Sequence, residues 1–169
     1  MNRGVVAAAV LSLVIGVVGY VSITASKYNE VGMLASLDSP SRVTVRGEVV
    51  DLGTGEGVLV YKGERYRLEC RGAYAVAESS GSGSLVLFLL RGGNGFVAAA
   101  LYPSADFISR YGGSPIVDRE IVVDGVYRPG ERVSIILPGG GVEAPVIEIN
   151  SILKGCHSSY GQEQAVVNR

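Results

Sequence analysis

Three patterns of apolar and polar positions succeed one another along this chain. From Gly4 to Ala25, "GVVAAAVLSLVIGVVGYVSITA" carries no charge. As a helix it would extend about 33 Å, enough for a bilayer core of roughly 30 Å. Arg3 precedes the run and Lys27 follows it; the charge bias favours a cytoplasmic N-terminus with the rest of the chain outside. A cleaved signal peptide is the alternative, but its apolar stretch runs to only about 7–15 residues. Residues 1–26 are therefore read as a membrane anchor, and 27–41 as a juxtamembrane linker with a short helix around Val31–Leu37 that Pro40 ends.

From residue 42 the period changes to two. "RVTVRGEVV" (42–50) alternates Val43, Val45 and Val49 with polar positions, as a half-buried strand does. "GVLVYKGERYRLEC" (57–70) reads as a hairpin turning at Lys62-Gly63-Glu64. "SLVLFLL" (84–90) and "FVAAALY" (96–102), joined by "RGGNG", form a second hairpin with an Asn-Gly signal. "ESSGSGS" (78–84) is a loop, and "SADFISRY" (104–111) is a helical turn or two capped by Ser104. "REIVVDGVY" (119–127), "ERVSIILP" (131–138) and "APVIEINSIL" (144–153) complete six or seven strands. The class is all-β: a small OB-like antiparallel barrel over residues 42–154, with a flexible tail at 155–169. A two-sheet sandwich fits the periodicity nearly as well.

Composition narrows the function. Among 169 residues there are 24 glycines, no tryptophan and a formal net charge of −1, which gives no basic face for nucleic acid. No G-x-S-x-G, zinc-histidine pair or phosphate loop occurs, so no enzyme is expected. "LPGGGVE" (137–143) lies between strands and reads as a hairpin turn, since a phosphate cradle normally opens a helix.

The chemistry concentrates in "ILKGCHSSYGQ" (152–162). The chain has two cysteines and a single histidine, and Cys156 and His157 stand side by side, four residues before Tyr160. Were this stretch helical, Cys156 and Tyr160 would share a face, with Cβ atoms about 5–6 Å apart. That is close to the span from a porphyrin's rim to its iron. A phenol oxygen ligates haem iron, and a cysteine adds to a vinyl group or ligates iron directly. Cys156 could instead pair with Cys70. His157 is either a second ligand or a plain tail residue.

An apolar anchor, a β-domain, then "SILKGCHSSY" and a polar tail resemble the CcmE family, the membrane-anchored haem chaperones of cytochrome c maturation. Most members carry His-x-x-x-Tyr after a Val-Leu-Ala-Lys strand end. The present segment is similar to an archaeal-type Cys-x-x-x-Tyr variant at Leu153, Lys154, Cys156 and Tyr160. "LYPSADFISRYG" (101–112) resembles the family's Pro-Asp-Leu-Phe-Arg-Glu-Gly segment, and "EIVVDGVYRPG" (120–130) a strand ending in glycine after an acid. Residues 52–80 have no counterpart there.

The resemblance implies an OB-like barrel outside the membrane and haem as cargo. It implies Cys156 as the haem-attaching residue and Tyr160 as the axial iron ligand. The partners implied are haem-delivery and cytochrome c assembly membrane proteins, with apocytochrome c as acceptor. Phe107 and Tyr111, with Tyr102, are candidates for an apolar patch against the haem; their spacing on a short helix equally suits packing onto the barrel. A membrane-anchored OB-type interaction module, like those attached to some membrane-protease partners, is the reading from another class.

Overall fold

The computed structural model describes residues 28–159. The expected anchor (1–26) and the tail beyond Ser159, including Tyr160, lie outside them. Among the described residues no helix is long and apolar enough to cross a membrane. The linker region begins with a two-residue strand, β1 (Asn29–Glu30), that pairs in parallel with Val45 and Arg46. A 3-10 turn (Val31–Ser36) follows and buries Val31 and Leu34.

β2 (Ser41–Val49) points Val43 and Val45 inward, as its alternation dictates. β3 (Thr54–Tyr61) and β4 (Glu64–Arg71) form the expected hairpin. Its two turn residues, Lys62 (φ 50) and Gly63 (φ 76), are both left-handed, the conformation whose twist suits a two-residue hairpin. β5 (Ala75–Glu78) pairs with β4 and with β6 (Ser84–Arg91). β7 (Val97–Pro103) returns along β6 and leads into the helix α1 (Ser104–Tyr111). Ser104 does not cap it. Pro103 holds the cap position in extended geometry, and Ser104 is already the first helical residue, buried.

The next three expected strands are two long ones. β8 (Ile116–Leu137) and β9 (Gly140–His157) form one antiparallel hairpin around Pro138-Gly139. Register shifts absorb the Arg-Pro-Gly-Glu stretch that reads as a break in the sequence; Arg128 faces Val146, and pairing resumes at Arg132 with Pro145.

The pairings close on themselves. β2 bonds to β6 and β8, β6 to β7, β7 in parallel to β9, and β9 to β8. β3, β4 and β5 form a second path from β8 to β6. Two cores result, and alternation allots each strand's residues between them. Val86, Phe88 and Leu90 of β6 enter the first core with Ala98, Ala100 and Tyr102 of β7. Leu87, Leu89, Ala99 and Leu101 enter the second. A strand buried on both faces must be apolar throughout, which is why "SLVLFLL" and "FVAAALY" lack the alternation of β2 and β4.

Candidate functional site

β9 runs past the expected end of the β-domain. Lys154 still pairs with Val122; Cys156 then faces Val117 and His157 faces Ile116. The start of the expected tail, residues 155–157, is thus strand. The device is Gly155. Between those pairs β8 has four residues, Asp118–Ile121, where β9 has one. Gly155 absorbs the mismatch at φ 88, and a Cβ there would lie 2.3 Å from the Glu120 carbonyl oxygen. The helical spacing expected of Cys156 and Tyr160 therefore does not begin at Cys156.

Cys156 is half-buried and packs against the first core. Burial, and secondarily the charge of Asp118, push its thiol up to about 12. It is a neutral thiol at ordinary pH, whereas both nucleophilic addition and iron ligation use the thiolate. A nearby cation such as a ferric centre reverses that balance, because a coordinating thiol is deprotonated outright. His157 is exposed, and its Nε2 lies 3.1 Å from Asp118 Oδ2. This contact pins the strand end to β8 and leaves Nδ1 as the nitrogen able to face a metal.

Cys70 and Cys156 are not bridged. Cys70 belongs to the second core, while Cys156 packs on the first. One cysteine lies inside the second core and the other against the first, so the alternative pairing fails on position.

Phe107 and Tyr111 are brought near the motif, but not as a surface patch. Phe107 is 2% exposed, Tyr111 8% and Tyr102 4%. They belong to an aromatic cluster in the first core, with Phe107 and Tyr111 ring centroids 5.3 Å apart and Phe107 and Tyr74 5.5 Å apart. The physical reason is the helix: α1 is amphipathic at i, i+4, and its apolar face packs on the first core that it covers. The Tyr111 hydroxyl donates to the Ile152 carbonyl oxygen at 3.2 Å. β7 pairs with β9 only at Val146–Glu148, so this bond serves a stretch of edge that β7 leaves uncovered. Burial, first, and then proximity to Cys156 raise the Tyr111 hydroxyl above its usual range.

The exposed apolar side chains near the motif are ones the periodicity did not single out. Ile116 stands opposite His157, Leu153 precedes the bulge, and Ile108 lies on the outer side of α1. No sequence signal marks them, since an apolar residue in a strand is by default assigned inward. Asp118 also borders an open depression of about 570 Å³ with Glu48, Arg119 and Glu120. Three acids against one base make it a poor seat for an anionic group. Among the described residues no cluster of three or more His, Cys, Asp or Glu could hold a metal ion.

The chain matches no protein-family model, no curated protein and no solved structure.

Proposed function

We propose that this protein is a membrane-anchored haem carrier of the CcmE type, holding haem through Cys156 and Tyr160 and passing it to apocytochrome c. The observation that carries the reading is the placement of Cys156. It is the half-exposed thiol near the end of β9, paired across to Val117, one residue before the exposed Ile116–His157 pair and four residues before Tyr160 in the sequence. Chain order supports it too. β2, β6, β7, β8 and β9 form a five-strand circuit with a parallel β7–β9 pair and one helix between β7 and β8. We read that circuit as an OB-like barrel. β3–β5 are then an insertion between its first two strands, at the residues (52–80) without a counterpart in the family.

In this reading haem would be held at the end of β9 by Cys156, in the part of the strand pair that also carries the exposed Ile116 and Leu153. The sulfur either adds across a vinyl group or ligates the iron. In the addition, sulfur bonds to one vinyl carbon and the thiol proton goes to the other, with no net gain or loss of electrons. Tyr160 supplies a phenolate to ferric iron, and Nδ1 of His157 is a second candidate ligand. The buried Phe107 and Tyr111 support the strand from beneath.

The test is to load the purified ectodomain with haem, denature it and look for a retained chromophore. Retention by the wild type and loss with Cys156→Ala is the expected result. Equal loss from both would end covalent carriage. An unchanged ferric absorption spectrum in Tyr160→Phe would end the axial assignment. An ectodomain that binds no haem at all would leave the interaction-module reading in its place.

A further inference from the structure

We infer that the β9 end carrying Lys154, Cys156 and His157 is held against the surface of the bilayer that anchors the chain. The inference rests on the proposed anchor and adds an orientation to it. The apolar run ends at Ala25, and two residues, Ser26 and Lys27, separate it from Tyr28. The three steps from Ala25 to Tyr28 extend at most about 11 Å, little more than the polar layer of one leaflet. From Tyr28 onward the chain is not a free tether. Asn29 and Glu30 are bonded to β2, and the Glu30 carboxylate is paired with Arg46. Val31 and Leu34 are sealed in the first core.

Tyr28 itself meets the motif strand. Its ring centroid lies 5.5 Å from Nζ of Lys154, two residues before Cys156. A tyrosine and a lysine at the end of an apolar run are the side chains that settle at a membrane interface. Leu153, 48% exposed, is apolar surface on the same strand as Lys154, and Met33, 59% exposed, is apolar surface on the 3-10 turn that follows β1. The opposite end of β9, the Pro138-Gly139 turn, is 15 residues of strand from Lys154 and belongs to the second-core half of the molecule. Cargo would therefore be taken up and released at the lipid surface, within reach of membrane-embedded partners, and not at a site that swings on a linker.

The test uses the full-length chain with Cys70→Ser and Cys156→Ser, carrying one fluorophore at Leu153→Cys or at Gly139→Cys. Gly139 has open space where a side chain would go. The labelled proteins are placed in phosphatidylcholine vesicles bearing a nitroxide on some headgroups. Stronger quenching at position 153 than at 139, by about twofold or more, is expected for a label held at the interface. Adding Tyr28→Ala should shrink that difference. Equal quenching, or stronger quenching at 139, overturns the orientation while leaving the anchor standing. Failure to float with the vesicles overturns the anchor and the orientation together. A label at Ile116→Cys gives a second reading should Leu153→Cys not fold.

Discussion

The thiol of Cys156 is protected by its surroundings in a way its neighbours in the sequence do not announce. Beside the charged-looking "LKGCH", burial and Asp118 raise it from an ordinary 9.0 to about 12. At neutral pH the thiolate fraction is then about a thousandfold lower than in a free cysteine. In a Cys70→Ser background, iodoacetamide should modify Cys156 correspondingly slowly, and the rate should still be climbing above pH 10. Asp118→Asn removes the like charge, lowers the thiol's pKa and should speed the reaction at fixed pH. A rate that levels off near pH 9 would show an unperturbed thiol. The sign for stability follows: the folded value lies above the unfolded one, so the contribution is complete below about pH 9 and fades as pH rises toward 12. The place of Cys156 beside His157, just past the last expected strand, was legible in the sequence. Its protection was not, because it depends on Asp118, Val117 and the first core.

At the scale of elements, Gly155 decides where the motif sits. A single residue facing four across a strand pair needs both a left-handed backbone and no side chain, and only glycine supplies both. Gly155→Ala should cost at least about 2 kcal/mol, read as a lowered urea midpoint. Gly139→Ala, at a turn with open space, should change that midpoint little. Equal effects would remove the bulge as the reason for the glycine. Lys154-Gly155 reads in the sequence as the end of a strand, which is what a glycine signals when the partner strand is unknown. Pro129-Gly130 likewise reads as a break between strands, where β8 only bulges. The hairpin turning at Lys62-Gly63 was legible, because a tight turn is chosen by its own two residues.

Across the whole molecule, Glu148 ties the β3–β4 hairpin to the long β8–β9 pair. Its carboxylate accepts from the Tyr61 hydroxyl at 2.8 Å and from Lys62 Nζ at 3.3 Å, and Arg128 Nε lies 3.5 Å away. Burial alone would raise the Glu148 carboxyl, but these bonds and charges outweigh it and hold it below the usual 4.5. The stabilisation is therefore present above about pH 4.5 and is lost as pH falls through the lower folded value. Glu148→Gln should cost about 1 kcal/mol at pH 7 and flatten the acid limb of a urea-midpoint profile. A variant that keeps the wild-type acid limb would show that the network contributes nothing there. This link joins Tyr61 of β3 and Lys62 of the turn after it to Arg128 of β8 and Glu148 of β9, and no local pattern foretells it.

What the sequence alone determined is what short-range physics governs. The β class, the position of most strands, the two-residue turn and the adjacency of Cys156 and His157 all follow from alternation, turn chemistry and spacing. The tertiary structure decided what depends on partners distant in the chain. Phe107 and Tyr111 became core because α1 folds back over β6 and β7; the two cysteines were parted because β6 and β7 are shared walls between two interiors. Cys156 acquired its strand geometry because β8 offers Ile116 and Val117 across a bulge. Burial is set by which strands meet, and a sequence records a residue's own preference but not the neighbour that will cover it.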